Sequence, residues 1–246
     1  MTGDSERDRE TDSADRDRET DSAERNRETD DAGRERANAA AVDQRRLVRD
    51  GYDELAETYA DSRDQDEAEL ALLEELRSGL DSPEPRILDA GCGDGRAAAR
   101  PLADRAAVVG LDVSRAQLQL AAETVDVPLV QGELTALPFE PATFDAVCAF
   151  HSIIHVPRSE HETVFREFAR VLSGGGRLLV SVGEAGWEGA NPDWLDGGAE
   201  MAWSFHDLEW SRAALADAGF RIADEWSIGD ELGDGSWRYL LAVRER

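Results

Sequence analysis

The chain has 246 residues, 41% of them apolar, enough for one large α/β domain or two small ones. Its charge is lopsided: 54 Asp and Glu stand against 27 basic residues, all arginine, for a net −27. That balance repels nucleic-acid phosphates. The two cysteines, Cys92 and Cys148, imply no disulfide framework, and no apolar run approaches the ~20 residues that span a bilayer.

The N-terminus lacks an apolar h-region, so the expectation is a chain without signal peptide, soluble and cytoplasmic, acting as a monomer or homodimer. Residues 9–36 hold a nine-residue repeat, RETDSADRD, RETDSAERN and RETDDAGRE, with almost nothing apolar in it. Such a unit is too short and too polar for a solenoid, and residues 1–38 read as a disordered acidic tail. That tail carries 14 acids and 8 arginines, so −21 of the −27 belongs to the remainder. The acidity is therefore a property of the folded body. Of three readings, a disordered acidic protein, a mimic of nucleic acid and adaptation to a salt-loaded cytoplasm, the last fits best. At roughly 1 M salt, carboxylate repulsion is screened within about 3 Å. The chain is thus expected to come from a halophilic organism.

From residue 39 the apolar spacing turns helical. The stretch 42–63 reads as helix with a break at Gly51. In DEAELALLEELRSGL, Leu70, Leu72, Leu73 and Leu76 share a face, and Pro83 and Pro85 close the segment. Residues 39–84 are a helical cap on this reading. Strands and helices then alternate: strand 86–90, helix near 96–104, strand 106–112, helix 114–124, and strands 127–131 and 144–150. A helix at 158–172, a strand at 177–183, a helix near 207–218 and two strands at 220–228 and 237–245 follow. Such alternation predicts βαβ units and a parallel sheet covered on both faces. The short connection before the last strand forces it antiparallel. Residues 85–183 form the core, and the aromatic-rich insert 184–206 a lid.

Ligands of such sheets bind beyond the carboxyl ends of the strands. There the first loop reads Asp89-Ala-Gly91-Cys92-Gly93-Asp94-Gly95. A dinucleotide fingerprint needs a third glycine at 96, which is Arg, and a hydride-transfer Tyr-x-x-x-Lys is impossible without lysine. A nicotinamide oxidoreductase is accordingly disfavoured. The acid-x-G-x-G-x-G pattern resembles the first motif of class I S-adenosylmethionine-dependent methyltransferases. Four further segments resemble that family in order: VVGLDVS, VQGELTALPF, FDAVCAFHSIIHV and REFARVLSGGGRLLVSV. The likeness covers about 50–246 and is strongest over 86–182.

The resemblance implies a Rossmann-like, doubly wound, seven-stranded sheet with S-adenosylmethionine as cofactor. Gly91, Cys92, Gly93 and Gly95 form the loop that the ligand approaches, and Asp89 faces the cationic amino-acid end. Asp112, with Val113 beside it, accepts from the ribose hydroxyls. Glu133, where the family usually has Asp, accepts from the adenine amine, and Leu134 offers it a backbone N–H. Carbonyls at Ala149 or Phe150 meet the methionyl ammonium, and Tyr59, in a stretch with Tyr52, contacts the carboxylate. His155 and His151 stand by the acceptor, where either could act as general base. Each has a plainer reading: Asp89 or Asp112 as a helix cap, Glu133 as loop surface, the histidines and tyrosines as packing. A third metal ligand beside the two histidines is lacking.

After the fourth strand the run Ala149-Phe150-His151-Ser152 replaces the Asn-Pro-Pro-aromatic signal of amide and nucleobase methylation. With the acidic surface and the aromatic insert, this points to a small-molecule methyl acceptor and no nucleic acid or membrane partner. The reaction expected is in-line displacement at the methyl carbon, promoted by alignment. The alternative is a non-catalytic cofactor-binding regulator or scaffold recruiting a partner through its tail.

Overall fold

A computed structural model describes residues 36–63, 66–230, 232 and 235–246. The chain divides into two compact units, Met1–Asp43 and Gln44–Arg246. In the first, the described residues 36–43 are helical. Nearly all of the acidic repeat lies outside the described residues.

The second unit opens with helix α1 (44–54), α2 (Ala56–Ser62) and α3 (Glu67–Ser78). The strands are β1 (Arg86–Ala90), β2 (Ala107–Asp112), β3 (Leu129–Gln131), β4 (Phe144–Ala149), β5 (Leu172–Gly183), β8 (Phe220–Gly229) and β9 (Ser236–Arg244). They form one sheet in the order β3-β2-β1-β4-β5-β9-β8. Helices α4 (Ala99–Ala103), α5 (Arg115–Thr124), α6 (His161–Val171) and α7 (Leu208–Asp217) connect them. β9 is antiparallel to both neighbours, and the other described pairings, β2 with β1 and β3, and β4 with β1 and β5, are parallel. The sheet is therefore the Rossmann-like one anticipated. Its antiparallel last strand inserts between β5 and β8 instead of lying outside them.

Two-residue alternation in the strands builds a core on each face. Leu88, Val147, Leu178 and Leu240 meet Val164, Phe165 and Phe168 of α6 and Leu215 of α7. Ile87, Ala146, Leu179 and Leu241 meet Leu72, Leu73 and Leu76 of α3 and Leu102 of α4. Both faces are thus apolar and covered, the condition under which parallel sheets occur.

Several boundaries differ from the sequence reading. Residues 96–98 are a turn, and α4 starts at Ala99. A 3-10 turn at Arg158–Glu160 precedes α6, and β3 starts at Leu129. The insert 184–206 is a structured hairpin: β6 (Trp187–Asn191) pairs antiparallel with β7 (Met201–Phe205). Gly51 does not break its helix; the irregular residue is Leu55, between α1 and α2. A Cβ at Gly51 would stand 2.6 Å from the carbonyl oxygen of Glu200. Glycine is there because β7 approaches α1 closely, and Met201 and Ala202 pack on Val48 and Tyr52 behind that contact.

Candidate active site

Asp112 ends β2, where the strand leaves the sheet and α5 begins. Ser114 caps α5, accepting from the N–H of Gln117, and Asp112 accepts from the N–H groups of Gly93 and Ser114, each at 2.8 Å. Burial pushes its carboxyl up, and these N–H groups oppose the shift. Each oxygen keeps a second lone pair for a ligand. Asp53, from α1, accepts from Ser114 Oγ at 2.6 Å and the Ala116 N–H at 3.0 Å, fastening α1 to the start of α5.

The glycine loop follows β1. Gly91 has φ +88°, and a Cβ on it would lie 2.2 Å from the Cβ of Ser152. Glycine is required by conformation and by that approach together. Gly91, Cys92 and Gly93 line a cavity of about 240 Å³ with Asp112, Val113, Glu133, Leu134 and Phe150. Tyr59, His151 and His155 line it as well. The other residues singled out from sequence lie behind the wall. Gly95 packs on Val125 and Ala121, Ala149 is buried in the sheet, and Asp89 sits beneath the loop at 2% exposure.

Asp94 has a local role: it accepts from the N–H of Arg96 at 3.1 Å and pairs with that guanidinium at 3.1 Å. Asp89 does not have so full a set of partners. Its Oδ1 receives the Cys148 thiol at 3.7 Å, and its Oδ2 is buried without a partner. Burial, then the neighbouring Asp112, pushes its carboxyl up to about 7, against a backbone N–H from Ala99. Gln117 and Ser152, both at the cavity wall, also hold buried side-chain atoms without partners. Orphaned polar groups of this kind are costly unless a ligand completes them. A nucleoside with an ammonium-bearing tail supplies donors and acceptors for Gln117 and Ser152 at the wall, and its cation is opposite in charge to the Asp89 carboxylate beneath the loop. The donor set therefore fits S-adenosylmethionine.

The two histidines have different surroundings. His155 Nδ1 lies 2.9 Å from the carbonyl of Ala202 and Nε2 lies 2.8 Å from the Tyr52 hydroxyl. A carbonyl only accepts, so Nδ1 carries the proton and Tyr52 donates to Nε2. Burial lowers this imidazole to about 4, so it is neutral at pH 7. His151 stands in a left-handed conformation at φ 50°, its N–H donating to Ser181 Oγ at 2.7 Å. Its Nε2 lies 2.8 Å from Glu69 Oε1 and 2.8 Å from the Tyr239 hydroxyl.

Glu69, Arg63, Tyr239, Gln117 and Arg45 are site residues that the sequence reading missed. Glu69 was detectable. It precedes Leu72, Leu73 and Leu76 by three, four and seven residues, so an acid stands on the apolar stripe of α3. It is 4% exposed. Burial opposes its ionisation, but the hydrogen bond and charge of His151, a hydrogen bond from Tyr239 and the Arg63 charge outweigh that and lower its pKa. No periodicity marks Tyr239, which comes from the far end of the chain to bond Glu69 and His151 behind the cavity wall. Among the described residues no cluster suited to a metal ion exists.

Residues 87–176 match the methyltransferase domain family. The methyltransferase GfsG of Streptomyces halstedii is 37% identical over 124 residues, 47% of this chain and 44% of that protein. The O-methyltransferase rstn1 of Aspergillus nomiae is 29% identical over 168 residues, 60% of this chain and 69% of that protein. The chain spans about half the length of several of the curated relatives it matches. Magnesium protoporphyrin IX methyltransferase of Synechocystis PCC 6803, solved with bound S-adenosylmethionine, shares the fold. Its TM-score is 0.61 at 20% identity, over 82% of this chain and 97% of that one. Residues 87–176 thus resemble a methyltransferase domain.

Proposed function

We propose that this chain transfers the methyl group of S-adenosylmethionine to a small-molecule acceptor. The observation that carries the reading is Asp112. It is a buried carboxylate at the end of β2, held by Gly93 and Ser114 and facing the cavity with lone pairs to spare. The cofactor supplies a methyl group activated by a sulfonium; the protein supplies alignment and a dry site.

Asp112 takes the ribose diol, with Val113 against the sugar and Gln117 beside it. Glu133 and the Leu134 N–H hold the adenine; Arg45, which donates to both Glu160 oxygens at 3.1 Å, stands 3.6 Å from Glu133. Backbone of Gly91, Cys92 and Gly93 lies along the tail, and Gly95 shapes the loop by packing on α5. Asp89 and the carbonyls of Ala149 and Phe150 answer the ammonium, and Tyr59, with Arg63 donating to its hydroxyl at 3.3 Å, answers the carboxylate. His151 and His155 border the acceptor.

A small acceptor agrees with a cavity of about 240 Å³ that Val48 and Tyr52 of α1 and Tyr59 and Ala60 of α2 help to wall. A hydroxyl acceptor agrees with the relative named an O-methyltransferase. The excess of acid on the body agrees with a salt-rich cytoplasm. The test is release of S-adenosylhomocysteine from S-adenosylmethionine in molar KCl, with a metabolite extract supplying acceptors. Release must require both the extract and Asp112. Release that requires neither, or none with any extract, contradicts the reading.

A further inference from the structure

We propose that Glu69 is a positioning residue that fixes His151 with Nδ1 free to take the proton of a hydroxyl acceptor, while His155 ties the cap to the hairpin. This deepens the proposed methyl transfer and rests on it.

The tautomer follows from the hydrogen bonds. Tyr239 has one hydroxyl proton, and it donates that proton to Glu69. Its oxygen is then an acceptor toward His151. Glu69 faces the Arg63 guanidinium at 3.6 Å and already receives the Tyr239 proton, so as a carboxylate it too only accepts. Both partners of His151 Nε2 are acceptors at 2.8 Å, so Nε2 must carry the proton. The neutral ring then has its lone pair on Nδ1. No hydrogen bond reaches Nδ1 among the described residues, and that atom is not among the sealed, unpartnered ones. The residue lines the cavity. A carboxylate bonded to one imidazole nitrogen, with the other nitrogen left free, is the arrangement that orients a general base.

His155 lacks that freedom. One nitrogen donates to Ala202 of β7 and the other accepts from Tyr52 of α1. Gln44 also donates to its carbonyl, at 3.3 Å. These bonds join α1, the turn after β4 and the hairpin, and they occupy both ring nitrogens.

In the step, the acceptor O–H proton passes to His151 Nδ1 as the oxygen's electron pair forms the O–CH3 bond. The C–S bond breaks and leaves its pair on sulfur. One positive charge disappears at sulfur while one appears on His151, so the site's net charge is unchanged. Glu69 lies next to the charge that appears. The proton then leaves to water. Among the described residues, the titratable groups facing His151 are Glu69 from α3, Arg63 after α2, Tyr239 from β9 and Asp230 after β8, and its charge also acts on His155.

The test uses the full chain, wild type and with Glu69→Gln, Glu69→Asp, His151→Asn or Tyr52→Phe, after calorimetry shows that each binds S-adenosylhomocysteine. Long-range 1H–15N spectra of the wild type should show His151 as the Nε2–H tautomer. With the metabolite extract as acceptor source, His151→Asn and Glu69→Gln should release S-adenosylhomocysteine about 100-fold more slowly, with Glu69→Asp restoring part of the rate. The residual Glu69→Gln activity should keep its rate to lower pH, because loss of the carboxylate lowers the His151 pKa. An Nδ1–H tautomer at His151 overturns the proposal. So does rate lost in Tyr52→Phe but kept in His151→Asn, which assigns the proton to the Tyr52–His155 pair. Failure of the wild type to bind S-adenosylhomocysteine is a separate result, and it removes the cofactor reading beneath.

Discussion

At the scale of single residues, the site is organised by buried groups whose partners are incomplete. Asp89 is raised to about 7 chiefly by burial, so it is partly protonated near neutral pH. An ammonium nearby favours the carboxylate and lowers that pKa. Binding S-adenosylhomocysteine at pH 6.5 should therefore release protons, read as a dependence of the calorimetric enthalpy on buffer ionisation heat. Affinity should rise with pH and level off above about 7. Because the folded pKa lies above the usual carboxylate value, the apo protein should lose stability between about 4 and 7 as pH rises. Asp89→Asn should flatten both dependences; equal proton release in that variant would remove Asp89 from the site. The glycine loop and Asp112 stood out in sequence through their resemblance to family motifs, and Gly91, Gly93 and Asp112 line one cavity. Glu69, Arg63 and Tyr239 were not assigned, because 170 residues separate Glu69 from Tyr239.

At the scale of elements, the alternation of strands and helices was legible from apolar period and turn residues. Local sequence misjudged the places where an element answers to a distant neighbour. Gly51 looked like a helix break, since glycine costs a helix about 1 kcal/mol. In the structure it is a contact point for Glu200, whose carbonyl would lie 2.6 Å from an added Cβ. The aromatic-rich insert gave no strand signal in the sequence, yet Trp187, Trp203 and Phe205 pack as rings along a hairpin. On helix propensity alone Gly51→Ala should stabilise, but overpacking costs about 1–3 kcal/mol. The expectation is a net loss of about 1–2 kcal/mol in denaturant unfolding, with faster amide exchange across 187–205. A stabilised variant with unchanged exchange would show that the hairpin does not bear on α1.

At the scale of the whole molecule, two features matter: a sheet that gathers Asp89, Asp112 and Glu133 at one edge, and an excess of acid. No described helix is long and apolar enough to cross a membrane. Arginines answer some of the acids in pairs such as Arg170–Glu167 and Arg238–Glu184, but a net −27 remains. Screening shortens from about 10 Å at 0.1 M salt to about 3 Å at 1 M. Melting temperature should accordingly rise by roughly 5 °C or more from 0.1 to 2 M KCl, about 2 kcal/mol at this length. A flat or falling curve would contradict adaptation to salt. The central claim is that the cavity at this sheet edge binds the cofactor through Asp112. Calorimetric titration of the full chain with S-adenosylhomocysteine in molar KCl tests it most directly. The account predicts one site, weakened about tenfold or more by Asp112→Ala, since each hydrogen bond to a charged group is worth about 1.5–3 kcal/mol. No binding to the folded wild type, or equal binding by the variant, would contradict it.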